Sequence, residues 1–142
     1  MIPTLKDGDI VMLQKNHKSY QTSDLVMYRS KDASSQRDYY VKRVVGSGGD
    51  TLLLKDDHVS INGKLLYEPY INTIIDFQNY KPLELELKIP QDRYFLMGDN
   101  RQFSVDSRNC FRRVSPSECL TAEQKTVSKD EILGKIKIFW KN

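Results

Sequence analysis

Several features that would assign a function quickly are scarce in these 142 residues. No apolar run approaches the ~20 residues of a membrane-spanning helix, so no span is expected inside the chain. Within these residues no secretory-leader pattern is expected ahead of the first turn. Neither sign of charge dominates: 22 basic against 19 acidic side chains leave a net charge of +3. No basic stripe interleaves with aromatics, so no nucleic-acid partner is expected. Histidine is limited to His17 and His58, both among polar neighbours and expected in solvent, and no Ser-His-Asp arrangement has local support. Cys110 and Cys119 supply too few ligands for zinc, so neither metal nor cofactor is expected. The pair is either two free thiols or one local disulfide, and the sequence leaves both open.

What is present is a series of short strand signals. They fall at residues 9–14, 24–29, 39–45, 51–55, 58–61, 64–67, 83–89, 93–98 and 134–140. Asn62-Gly63 marks a tight hairpin. Residues 83–89, "LELELKI", alternate strictly, which predicts one buried and one wet face. Capping-box patterns at Ser115 to Glu118 and Ser128 to Glu131 predict short helices near the C-terminus. Many short strands with Gly and Asn turns predict an all-β barrel or sandwich. The length suits one domain with room for a lobe.

Three stretches carry possible chemistry: "MIPTLKDGD" at the start, "YYVKRVVGSGGD" at 39–50 and "MGDNRQFSVDSR" at 97–108. In the second, Lys42 and Arg43 must point to opposite faces of a strand, and Lys42 shares a face with Tyr40 and Val44. A lysine on a core face is unusual, although most strand lysines bury only the stem. The third stretch is a polar loop directly after an apolar strand, a common way to present catalytic groups. Its plainer reading is a turn with an Asp106–Arg108 ion pair.

Taken together, these stretches resemble the bacterial type I signal peptidases, Ser-Lys proteases anchored in the membrane. That family reads Ser-Met-x-Pro-Thr-Leu, then Lys-Arg-Val-x-Gly-x-Pro-Gly-Asp on a strand, then Gly-Asp-Asn-Arg-x-x-Ser-x-Asp-Ser-Arg. The matching residues are Met1, Pro3, Thr4 and Leu5, then Lys42 to Val44 with Gly46, Gly49 and Asp50, then Gly98 to Arg101 with Ser104 and Asp106 to Arg108. "INGKLLYEPY" at 61–70 is similar to the family's hairpin and the strand after it. The resemblance implies a mainly β, signal-peptidase-like catalytic domain at 1–52 and 89–142, with a smaller inserted β-lobe at 53–88. It implies that Lys42 is a general base and that Ser104 orients its amine. A lysine can serve as a base when burial lowers its pKa. Arg43 with Asp99 and Arg108 with Asp106 are expected to brace the site. Met1, Leu5, Val11, Val26, Tyr40 and Val41 are expected to flank an extended peptide bound as an added strand, although Val11 and Val26 equally suit plain core.

The implied activity is removal of signal peptides from preproteins at the extracytoplasmic face of a bacterial membrane, with a transmembrane anchor upstream. Apolar residues around Trp140 suit contact with lipid. The pattern departs from the family in three places. The family's nucleophilic serine stands just before the position of Met1, so the chain is expected to be cut from a longer one and to be inactive as it stands. Gly48 stands where proline is usual. Residues 109–133 are inserted before the last strand, as a partner surface or flap. Two other readings compete: an accessory protein that binds secreted or pilus proteins such as pilins without cleaving them, and a self-cleaving Ser-Lys repressor. Lys42 favours the protease, because a non-cleaving relative need not keep it. The repressor would need a DNA-binding domain, and the third stretch does not suit it.

Overall fold

The computed structural model describes residues 1–29, 39–56, 58–71, 83–111 and 119–142. Its strands are β1 (Ile10–Gln14), β2 (Leu25–Arg29), β3 (Tyr39–Ser47), β4 (Thr51–Lys55), β5 (His58–Ile61), β6 (Lys64–Leu65), β7 (Leu85–Lys88), β8 (Arg93–Met97), β9 (Val127–Ser128) and β10 (Ile132–Trp140). Nine of them fall on the nine predicted segments. β9 is too short for periodicity to signal. The Ser115 capping pattern lies outside the described residues. Ser128 opens a single 3-10 turn, Lys129–Glu131, in which its hydroxyl and backbone N–H both meet the Glu131 carboxylate. One turn of α-helix, α1 (Ala122–Lys125), is capped by Thr121 and Gln124.

The strands build two antiparallel sheets. One runs in the order β1-β10-β2-β3-β8-β9 and the other β6-β5-β4-β7. The fold is mainly β, as the sequence predicts. Asn62 and Gly63 both take positive φ, 51° and 78°, as the tightest hairpin turn requires. β7 alternates as expected, with Leu85 and Leu87 half-buried and Glu86 and Lys88 exposed.

Two apolar clusters meet at β3 and β8. Val44 and Leu96 point into one, with Tyr20, Val26, Tyr28 and Tyr94. Val45, Phe95 and Met97 point into the other, with Leu52, Leu54, Val59 and Ile89. Alternation along a strand sends successive side chains to opposite faces, and here both faces are covered. That arrangement forces the two adjacent cations of β3 into the interior. Lys42 is 9% exposed and Arg43 7%.

The 109–133 insertion is built into the core where it is described. Phe111 packs edge-on against Tyr28 at 5.2 Å between centroids. Further along, β9 pairs with β8. Cys110 and Cys119 are joined as a disulfide, the alternative that the sequence left open. Lys125 is buried and donates its amine to the Cys119 carbonyl. His17, expected in solvent, is half-buried against Tyr20 with 5.7 Å between ring centroids. The loop closed by the disulfide is short, so replacing both cysteines by serine should cost about 2–3 kcal/mol. Urea midpoints of the two forms check this.

Candidate active site

The site forms where β8 ends beside the middle of β3. Lys42 stands opposite Val26 of β2, and Arg43 stands opposite Met97 of β8. The chain leaves β8 at Gly98 and enters the polar loop that carries Ser104 and Asp106. Loop and strand meet closely at Gly98. A Cβ built on Gly98 would collide with Ser104 Oγ and stand 2.6 Å from Ser104 Cβ and 3.5 Å from Lys42 Nζ. Only a residue without a side chain lets Ser104 approach this closely, while Lys42 Nζ stands at ordinary van der Waals distance. The amine and the hydroxyl border the same Gly98 surface, with no direct hydrogen bond between them.

The surroundings of Lys42 disfavour its charge. Burial lowers its pKa; Asp106 and Asp99 oppose that effect, while Arg108 adds to it. The amine stands over the Tyr40 ring at 5.9 Å. Ser104 Oγ is buried without a hydrogen bond of good geometry among the described residues, though its hydroxyl stands near enough to Asp106 to favour that carboxylate.

Asp106 is fully buried. Burial alone would raise its pKa, but Arg108, the Gly98 N–H and the Ser104 hydroxyl hold it below the usual carboxylate value. Arg108 Nε donates to it at 2.9 Å and Gly98 N at 3.0 Å. Because the folded-state pKa is the lower one, the stability from Asp106 is present above the ordinary aspartate pKa. It is lost as pH falls through the folded value.

On the other face of β3, Arg43 grips Asp99 with two hydrogen bonds, Nε to Oδ1 at 2.8 Å and Nη2 to Oδ2 at 2.6 Å. Its remaining nitrogen donates to the Ser23 carbonyl at 2.8 Å. The Thr4 hydroxyl also donates to Asp99, so the first residues of the chain are tied to the same carboxylate. The Met1 amino nitrogen is half-buried beside Lys42 and Asp99; burial and the lysine charge lower its pKa.

The six residues expected to flank a peptide divide. Met1, Leu5, Val11, Tyr40 and Val41 are half-buried, whereas Val26 is fully enclosed in the core. Packing, the alternative the sequence left open for Val26, is therefore its place in the fold. Among the described residues no group of three His, Cys, Asp or Glu side chains could hold a metal ion.

Residues 1–141 match the family model described as signal peptidase, peptidase S26. The chain belongs to this family. The family is one of serine peptidases that act on signal peptides of preproteins. The chain is 39% identical over 119 residues to signal peptidase I P of Bacillus subtilis subsp. natto, covering 77% of this chain and 61% of that one. Identity to signal peptidase I of Bacillus licheniformis is 38% over 122 residues, with the same coverage of 77% and 61%. The chain thus spans about three-fifths of the length of these relatives. The fold is also that of a signal peptidase I from Enterococcus faecalis V583, whose crystal structure matches with a TM-score of 0.62 at 24% identity, covering 86% of this chain and 100% of that one.

Beyond the residues predicted from sequence, the structure adds Thr4, Gly98, Arg101, Glu68 and Tyr70 to the S26 site region. Thr4, Gly98 and Arg101 stand inside the motifs. Glu68 and Tyr70 stand between β6 and β7 of the small sheet, and no local pattern marks them as partners of Arg101 and Arg43.

Proposed function

We propose that this chain carries the catalytic part of a signal peptidase I, an endopeptidase that removes signal peptides from exported preproteins through a Ser-Lys dyad. One observation carries the reading: a buried lysine amine with a lowered pKa shares the Gly98 surface with a serine hydroxyl. A neutral amine can take a proton from a nucleophilic hydroxyl and pass it to the leaving amine. Ser104 then orients Lys42. The nucleophile in this reading is a serine joined to Met1. The charge interaction between the Met1 amino group and Lys42 supports it, because the start of the chain then lies in the neighbourhood of that amine.

In the same reading residues 1–52 and 89–142 form the catalytic domain and 53–88 the smaller lobe. The Arg43–Asp99 and Arg108–Asp106 pairs brace the strand ends. The substrate is an extended peptide added as a strand beside Met1, Leu5, Val11, Tyr40 and Val41. Ile10, Met12, Ile138, Phe139 and Trp140 are exposed on β1 and β10, which pair with each other. Exposed apolar side chains along this pair of strands suit contact with a bilayer surface, in keeping with an enzyme anchored upstream and working on the extracytoplasmic side.

The test uses the chain extended upstream with its native residues, incubated in detergent with a preprotein. The extended form is expected to cut after a small residue, whereas these 142 residues alone leave the preprotein intact. Ser104→Ala should slow the cut without unfolding the domain. An extended form that carries the serine, folds and leaves every preprotein whole would overturn the reading in favour of an accessory protein that binds secreted or pilus proteins.

A further inference from the structure

Gly98 is held from both sides. Its N–H donates to Asp106 Oδ2 at 3.0 Å, and its carbonyl accepts from Arg101 Nε at 3.2 Å. The other two nitrogens of Arg101 turn away from the loop and meet Glu68 Oε1 and Oε2, the second contact at 3.1 Å. Both side chains are buried, 10% and 5% exposed. Glu68 also accepts from the Tyr70 hydroxyl at 3.0 Å. Burial and the adjacent Glu68 charge push that hydroxyl's pKa up, so it stays a donor. The Arg43 guanidinium carbon stands over the Tyr70 ring, 3.7 Å from the ring centroid. Glu68 and Tyr70 therefore grip two arginines. One holds the carbonyl of the glycine under the amine and hydroxyl, and the other is the chain neighbour of Lys42.

We propose that Glu68 and Tyr70 are positioning residues for the Lys42–Ser104 pair, acting through Arg101 on the Gly98 carbonyl and through Arg43 on β3. The segment that leaves β6 of the small sheet is then part of the active site's frame. This rests on the dyad reading above. A gap at Gly98 that admits no methyl group admits little drift of the peptide itself, and misplacement by about 1 Å can cost ~10²-fold in rate. A guanidinium that spends three nitrogens on two acceptors fixes the carbonyl only while the carboxylate fixes the guanidinium.

The alternative is that the Glu68–Arg101 pair only glues two parts of the chain together. Two variants separate these roles. Glu68→Gln removes the charge that anchors Arg101. Arg101→Lys keeps a cation for Glu68 but loses the planar fork that reaches the Gly98 carbonyl at the same time. The readout is titration of Lys42 in the 142-residue chain, by NMR of selectively labelled lysines, with thermal melting alongside. The charged groups around that amine are Asp106, Arg108, Asp99 and the Met1 amino group, and neither variant alters any of them. In both variants the Lys42 titration should move up toward the ordinary lysine value, because a loosened Gly98 admits water to the amine. The Gly98 carbonyl shift should move with it. If Glu68→Gln fails to fold, Arg101→Lys decides alone. A Lys42 titration unchanged in the folded variants, with only the melting temperature lowered, overturns the proposal and leaves the dyad reading standing. An ordinary lysine titration in the unmodified chain overturns the dyad reading, and this proposal with it.

Discussion

Replacing Lys42 by methionine should abolish cleavage in the upstream-extended protein, by about 10⁴-fold or more, while leaving the fold intact. A general base is commonly worth ~10²–10⁴-fold, and removing one member of a nucleophile–base unit costs nearly as much as removing the whole unit. Methionine keeps most of the volume and the unbranched shape, so the cavity stays filled. The same variant should be more stable than the parent, in a pH-dependent way. Burial lowers the Lys42 pKa in the folded chain. Below the folded value both states hold the proton, and the folded state bears the whole cost of burying the charge. As pH rises from the folded value toward the ordinary value of ~10.4, the unfolded chain still binds a proton that the folded chain has released, so stability rises. The stabilisation by Lys42→Met is therefore largest below the folded pKa and fades as the pH reaches the ordinary lysine range. Cleavage of a preprotein and melting curves across that range check both halves. A variant that cleaves at the parent's rate would remove the base from the mechanism.

Asp99→Ala should be the most damaging single change to stability, at about 3–5 kcal/mol, because it leaves a buried guanidinium without its counter-charge. Asp99 is wholly buried and Arg43 is 7% exposed. The carboxylate takes two bonds from Arg43 and one from Thr4, so its loss also frees the first residues of the chain beside Lys42. Replacing both partners by apolar residues, Arg43→Met with Asp99→Leu, should cost far less than the sum of the single changes, since no charge is then stranded. Urea denaturation of the two single variants and the double variant measures the coupling. Additive losses would mean that the pair does not act as a unit.

The two predictions draw on different parts of what the sequence reveals. The strand positions and the mainly β fold follow from local pattern, since apolar alternation and turn residues act over a few positions. The alternation of β7 and the Asn62-Gly63 turn are read directly in this way. The three motifs carried the family likeness, because their residue types and order survive without any knowledge of distance. Local pattern could also state that Lys42 and Arg43 point to opposite faces. It could not state that both faces are covered, because that depends on a second sheet closing over β3 and β8 from residues far along the chain. The cluster's bonds are equally non-local. Thr4 meets Asp99 across 95 positions and Arg101 meets Glu68 across 33, and a side chain carries no mark of a partner that far away. Gly98 shows the same division. Its lack of a side chain is written in the sequence. That Ser104 and Lys42 both close on that spot was decided only when strand and loop packed together.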